Sequence, residues 1–365
     1  MAANGTRLTV TLNHANPNIV ERLALPFRCA VPVATPVAES KAIPSAGPYY
    51  VGSADLAGLT VLRANPNYKG SRPQNFHEID ISANQADTVI ADGPVSGAVD
   101  SSPALNASDS WWTSFKAAHP NQLQINPQAS IRYLALNSLR LPVALRKAVN
   151  YAINRVELTQ LARVFSQTPA DHIIPPGGPG VSAGSFYPVT GDPTTAAALA
   201  AGYSAPIEIY SLPNPYAVSV ATSVAASLQA IGLTAHVSQL PGSQWVAFLA
   251  NPASAWDIAV TGWIADYLDA SDFFNGIVRS GGFGNLGHFS DPGYDAAINS
   301  ADSLPLGPAR SSAFAQLDRN VSLDAVPMAV FANLNSVDPF STRIGCQTYS
   351  PAFGIDLVAL CQNDG

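Results

Sequence analysis

Charge is the first thing this chain lacks. Only 12% of its 365 residues are charged, with 18 Lys+Arg against 25 Asp+Glu and a formal net charge of −7. No basic run exists; "ALRKAV" and "STRI" carry isolated cations, so the basic face that counterion release on nucleic acid requires is missing. Long apolar runs are missing too. Although 47% of the residues are hydrophobic, none of the runs reaches the ~18 residues that would span a bilayer, and "ALPFRCAVPVATPVA" is interrupted by prolines. Cysteine is scarce: Cys29, Cys346 and Cys361 form no C-x-x-C pair and no zinc spacing. Cys346 and Cys361 would close a short loop in an oxidising compartment; three buried thiols are the alternative. The chain also lacks G-x-S-x-G, H-E-x-x-H and S-x-x-K. Six scattered histidines (His14, His77, His119, His172, His236, His288) define no triad. His236 falls within an alternating strand and reads as structural, while His172 and His288 fall in loops and read as surface residues.

What is present is a folded pattern. The slightly positive mean hydropathy argues against disorder. "TRLTVTLNH", "GPYYVGS", "LTVLRANP" and "HEIDISAN" alternate as strands do, and "ADTVIADGPVSGAVD" reads as helix, turn and strand. Across 143–163, Leu145, Ala148, Val149, Ala152, Ile153 and Val156 recur at helical spacing, with a restart at Asn154 marked by Glu157 three residues on. "IPPGGPGV" forbids regular structure. From Pro206 the order is strand ("PIEIYSL"), helix (217–231, closed by Gly232), strand ("LTAHVSQL"), helix ("SQWVAFLAN") and strand ("AWDIAVTGW"). Two further helices, from Pro292 to Ala301 and from Pro308 to Val321, and the strand "VPMAVFANL" follow. The alternation predicts right-handed crossovers and a largely parallel sheet.

In such a sheet, ligands bind beyond the carboxyl ends of the strands. The segment there is "GWIADYLDASDF", with Asp266, Asp269 and Asp272 beside Trp263 and Tyr267. The D-x-x-D-x-x-D spacing does not suit a calcium loop, and no metal or cofactor is expected. Two readings stay open. Asp266, bordered by aromatic rings, holds an ammonium group; or Asp266 caps a following helix while Asp269 and Asp272 are solvated.

Four segments, in order, resemble the bacterial family 5 extracellular solute-binding proteins, the peptide/nickel class of ABC-importer receptors. They are "SAGPYYVGSADLAGLTVLRANPNYKGSRP", "YLALNSLRLPVALRKAVNYAINRVEL", "AVTGWIADYLDASDFF" and "FSDPGYDAAINSA". The resemblance implies an α/β, two-lobed periplasmic-binding-protein-like fold (type II, peptide-binding class). Residues 1–135 plus 336–365 would form an incomplete first lobe and 136–335 the second. It implies a non-enzymatic receptor, periplasmic or at the cell surface, that hands a small peptide or similar solute to ABC permease subunits and works as a monomer. A nickel chelate or glycoside ligand, a hydrolase and a non-functional fragment are the alternatives. By the same resemblance Asp266 anchors the peptide α-ammonium, Trp263 and Tyr267 wall the pocket, and Asn137 lines the cleft or hinge, with a turn-forming Asn as its other reading.

Three departures stand out. Ala270 replaces the family's Pro, which loosens the turn. Val260 stands where some peptide binders place an Arg for the peptide carboxylate, which favours an uncharged ligand. The family's N-terminal third, with its export signal, is absent: "MAANGTRLTV" has neither a basic nor an apolar leader region. A first lobe lacking strands is expected to be marginal beside a well-folded second lobe.

Overall fold

The structure, a computed structural model, describes the chain except residues 1, 5, 6, 14, 26, 27, 34, 36–41, 56, 103–106, 364 and 365. His14 and Thr6, which bound the first expected strand, lie outside the described residues, as does the Pro36 end of the proline-broken stretch.

In chain order the first elements are β1 (Ala2–Asn4), β2 (Arg7–Thr9), α1 (Ile19–Leu23), β3 (Tyr49–Ser53), β4 (Leu59–Ala64), β5 (Glu78–Ser82), α2 (Asp87–Ser96) and α3 (Asp109–Ala118). Next come β6 (Leu123–Leu136), α4 (Val143–Ala152), α5 (Arg155–Gln160), β7 (Gln167–Pro169), α6 (Pro193–Ala200), β8 (Ile207–Ser211), α7 (Pro215–Ala230) and β9 (Ala235–Gln239). The last are α8 (Gly242–Ala250), β10 (Ile258–Ile264), α9 (Ala270–Phe273), α10 (Pro292–Ser303), α11 (Pro308–Asn320), β11 (Met328–Pro339), β12 (Ile344–Gly345), β13 (Tyr349–Ser350), β14 (Gly354–Ile355) and β15 (Cys361–Gln362).

Two compact units divide the chain: Met1–Leu25, Ala129–Ala162 and Gln167–Leu334 form one, and Pro26–Gln128, Arg163–Ser166 and Asn335–Gly365 the other. This partition differs from the 1–135/136–335 division at its edges. Residues 1–25 go with the larger unit because Asn18 and Arg22 meet Ser271 and Tyr267 there. The boundary moves to 129 because β6 is bonded to β10 from Ser130 onward.

The larger unit is a six-stranded sheet of order β7-β11-β6-β10-β8-β9. The parallel expectation holds only for β9, β8 and β10; β6 pairs antiparallel with β10 and β7 antiparallel with β11. The crossover helices α7 and α8 enforce parallel pairing only where they occur. Side chains alternate between two cores. Leu134, Leu136, Ile209, Ile258 and Val260 pack under α4, α6 and α7. Ile131, Tyr133, Ala135 and Ala259 pack with Trp245, Phe274 and Phe314 on the other face. A sheet covered on both sides needs apolar strand segments, as β6 supplies from Tyr133 to Leu136 and β10 from Ile258 to Val260.

The helical run 143–163 breaks at Ile153, as its pattern predicts. Asn154 caps α5, its Oδ1 accepting from the Val156 and Glu157 N–H groups at 3.1 and 3.3 Å. Gly232 follows α7 with φ +88°, the left-handed residue expected after a helix end.

The smaller unit holds the antiparallel sheet β3-β4-β5. It has two small cores, one around Trp112, Phe115, Leu123 and Val337, the other around Phe340, Ile344 and Leu360. Cys346 and Cys361 are joined in a disulfide, and Cys29 is a free, exposed thiol. The strand expected after α2 is a single bridge from Ser101 to Phe340. Among the described residues no helix is long and apolar enough to cross a membrane.

Candidate ligand site at the end of strand β10

The three acids that follow β10 have three different environments. Asp269 caps α9 by accepting from the Ser271 N–H at 2.8 Å. Its carboxylate also grips Arg310, Nε to Oδ2 at 3.1 Å and Nη2 to Oδ1 at 2.9 Å, with both side chains 3% exposed. Burial pushes the Asp269 carboxyl up, but Arg310 and Ser271 outweigh it and hold the group below its ordinary range. The cap is therefore Asp269, not Asp266. Ala270, in place of Pro, occupies the first helical position, where either residue is tolerated. Arg310 clamps the Asp269 carboxylate that caps this turn.

Asp272 is buried rather than solvated. Its Oδ2 accepts from Trp263 Nε1 at 2.8 Å and from the Asp266 N–H at 3.3 Å. Burial pushes its pKa up to about 6, the Trp263 bond opposes this, and the nearby Asp266 carboxylate adds to it. The Trp263 indole lies between two glycines: a Cβ on Gly276 would come within 2.6 Å of the ring and one on Gly284 within 2.5 Å. Larger residues at either position would displace it.

Asp266 itself is exposed, and its carboxylate has no hydrogen-bond or ion-pair partner among the described residues. Tyr267 is buried; its hydroxyl shares a hydrogen bond with Ser271 Oγ at 3.1 Å, and Asn18 Nδ2 donates to the same oxygen at 2.9 Å. Burial raises the Tyr267 phenol to about 12, and the Arg22 guanidinium sits 5.7 Å from its ring centroid. A cavity of about 580 Å³ opens here, walled by Asn18, Arg22, Tyr267, Ser271, Asn275 and Asp302. Of the residues singled out from sequence, only Tyr267 lines it; Asp266 and Trp263 lie outside.

Asn137 takes the turn-forming role. It is 1% exposed, its Nδ2 donates to the Trp256 carbonyl at 2.9 Å, and its Oδ1 accepts from the Leu139 N–H at 3.1 Å. Its side-chain oxygen and nitrogen are both engaged within the turn. Val260 is also a core residue, paired with Leu134 inside the sheet. Its apolar character answers to packing and says nothing about the solute. His172 corrects the surface reading: it is buried, with Nδ1 3.0 Å from Asp318 and Nε2 2.8 Å from the Gly184 carbonyl. His236 is exposed on β9, 3.0 Å from Glu208.

Other motif residues are fasteners. Asn65 Nδ2 donates to the Ser45 and Gly47 carbonyls behind β3. Arg155 is fully buried and donates to Asn150 Oδ1 and to the carbonyls of Asn150, Ala170 and Val330. Asp291 caps α10 through the Gly293 and Tyr294 N–H groups. Sequence reasoning missed Arg310, Asn18 and Arg22, for which no local pattern signals a partner hundreds of residues or one fold layer away. Among the described residues no cluster of three metal-ligating side chains forms.

The larger unit therefore sets an acid-aromatic segment beyond β10 on a sheet covered on both faces. The chain matches the model of the bacterial extracellular solute-binding proteins, family 5 middle region, over residues 2–285, and belongs to that family. It is 26% identical over 224 residues to the probable deoxycholate-binding periplasmic protein YgiS of Escherichia coli K12, covering 58% of this chain and 42% of that one. It is 23% identical over 297 residues to the periplasmic oligopeptide-binding protein OppA of Salmonella typhimurium, covering 77% and 54%. The chain thus spans about half the length of these relatives. Among solved structures, clavulanic acid biosynthesis oligopeptide binding protein 2 superposes with a TM-score of 0.83 at 19% identity, over 96% of this chain and 69% of that one. The dipeptide binding protein of Pseudoalteromonas sp. SM9913, in complex with Met-Leu, gives 0.64 at 19%, over 87% and 64%. At these identities the likeness is one of fold, that of periplasmic binding proteins.

Proposed function

We propose that this chain is the solute-recognising part of an ABC-import receptor, capturing an oligopeptide or similar solute and delivering it to a membrane permease. The observation that carries the reading is the inequality of the three acids. Asp269 and Asp272 are consumed by Arg310 and Trp263, which fixes the loop and leaves Asp266 exposed with an unpaired carboxylate. Such a group, on a rigid support beside aromatic rings, suits a primary ammonium. Family membership and the relatives named for oligopeptide binding support the same role. So does the disulfide, which belongs to an oxidising compartment outside the cytoplasm. The proposed action is binding without turnover, as a monomer, with Tyr267 as a wall and Asp266 as anchor.

The reading with a nickel chelate, glycoside or other uncharged solute has two supports, Val260 and the sparse charge; Val260 is a core residue, so the sparse charge is what remains for it. Calorimetric titration of the chain with a peptide library tests the proposal. Peptides with free N-termini are expected to bind, N-acetylation to weaken them about tenfold or more, and Asp266→Asn to abolish that difference. Equal binding of free and acetylated peptides would sink it.

A further inference from the structure

Between β7 and α6 the chain runs from 170 to 192 without a helix or strand, through its Pro/Gly-rich stretch. This strap lies along α11. A Cβ on Gly180 would come within 2.7 Å of the Ser311 carbonyl, and His172 meets Asp318, about two turns further along the same helix face. The root of the strap is tied at Asp171, whose Oδ2 accepts from the Phe186 and Tyr187 N–H groups at 2.6 and 2.7 Å. The Tyr187 hydroxyl donates to the Ser322 carbonyl at 2.6 Å. The tip, 175–185, is held more lightly. Among the described residues it has one hydrogen bond to the rest of the chain, from His172 to the Gly184 carbonyl.

Both ring nitrogens of His172 face acceptors. Nδ1 lies 3.0 Å from Asp318 Oδ2, and Nε2 lies 2.8 Å from the Gly184 carbonyl, with Asp171 Oδ1 3.5 Å away. A carbonyl cannot donate, and Asp318 Oδ1 is already accepting from the Ile173 N–H at 2.9 Å. A neutral imidazole carries one N–H and serves only one of the two partners. The geometry therefore needs one proton more, held between Nδ1 and Oδ2. Little water competes for it: His172 is 7% exposed and Asp318 0%. Burial lowers the His172 pKa, but the bonds to Asp318 and Gly184 and the charges of Asp318 and Asp171 outweigh it and set it above its ordinary value. Burial raises that of Asp318, against the His172 bond and the Ile173 N–H. The cations stand one ring further off. Phe186 packs 4.1 Å from the imidazole and has Arg319 6.0 Å from its centroid, while Arg155 is 5.4 Å from the Tyr187 ring.

We infer that His172 is a proton-operated latch for this strap: the proton shared with Asp318 lets the imidazole hold the tip at Gly184, and loss of that proton lets the tip go while the root stays tied. Asp318 keeps the remaining N–H because a hydrogen bond to an ionised group is roughly twice as strong as one between neutral groups. Nε2 then turns a lone pair toward the Gly184 carbonyl, and the two acceptors repel. The Asp171 bonds to Phe186 and Tyr187 use no His172 proton, so the change is confined to 175–185. Folding raises the His172 pKa, so the latch contributes its full stability below the ordinary histidine value and loses it as pH rises through the folded one. The strap is closed on the acid side of the His172 titration and open on the alkaline side.

NMR of the full chain between about pH 6 and about pH 10 tests this, following the His172 ring nitrogens, the Gly184 carbonyl carbon and the backbone mobility of 177–185. In the wild type the Gly184 resonance should move in one step with the His172 midpoint. The order parameters of 177–185 should fall with it, from about 0.85 to below about 0.6, while those of Phe186 and Tyr187 hold. His172→Gln should remove the step. Asp318→Asn places an amide donor opposite Nδ1, so a neutral His172 can still donate to Gly184 and the strap should stay rigid across the range. A Gly184 resonance that does not move in the wild type, or a loss of rigidity that persists in either variant, overturns the inference. Should a variant fail to fold, the wild-type midpoints decide: a Gly184 step displaced from the His172 titration overturns it as well.

Discussion

The two units solve the same problem with different means. In the larger one, both faces of the sheet are covered, and its ion pair Arg310–Asp269 lies 3% exposed at each end. In the smaller one the cores are small, and Leu59 and Ile81 on β4 and β5 remain exposed. Its ion pairs Arg63–Glu78, Arg72–Asp356 and Arg343–Asp100 all lie largely in solvent, where such pairs are worth little. A disulfide closes its C-terminal segment. One unit is held by burial, the other leans on covalent closure.

The largest effect should come from the buried pair. Arg310→Ala leaves the Asp269 carboxylate buried without its partner and is expected to cost about 3–5 kcal/mol in denaturant unfolding of the larger unit. A loss as small as that of Arg343→Ala would erase the contrast. Next, Cys346→Ser should cost the smaller unit about 3 kcal/mol, the value for a loop of its length, and leave the larger unit's transition in place. Limited proteolysis sharpens this: the smaller unit is expected to be cut first, and trimming of the larger unit first would reverse the ranking.

A third effect depends on pH. Asp272 titrates near 6 in the fold against 3.8 for a free carboxyl, so folding favours its protonated form. Its stabilising contribution is complete below 3.8 and lost as pH rises through about 6. Against Asp272→Asn, the wild type should lose about 2–3 kcal/mol across that window. Urea midpoints measured for both proteins would show a constant difference if the burial argument is wrong. Smallest is Asp266→Asn, expected to change stability by less than about 0.5 kcal/mol because its exposed carboxylate makes no hydrogen bond or ion pair with a described residue.

Much of the larger unit was legible because its signals are local. The Asn154 restart, the Gly232 terminus and the alternation of β8 and β9 each depend on neighbours in sequence. The antiparallel partners of the sheet were not legible, since β6 finds β10 more than a hundred residues away and no crossover helix announces the pairing. Helices α3 and α6 passed unread as well; "DSWWTSFKAA" buries only Trp112 and Phe115, and Ala-rich α6 offers little contrast between its faces. At the candidate site, residue types singled out the segment after β10. The division of labour among its acids depended on Arg310, which no spacing rule connects to Asp269.

The buried Arg155 has a consequence for the order of events during synthesis. It fastens α5 to the Val330 carbonyl, a residue 175 positions later. β6, between β11 and β10, is made before both of its neighbours. A growing chain therefore carries β6 with two bare edges until β10 emerges, and with one until β11 does. The sheet is complete only when β11 arrives, and until then the nascent chain stays open to chaperones along one edge of β6.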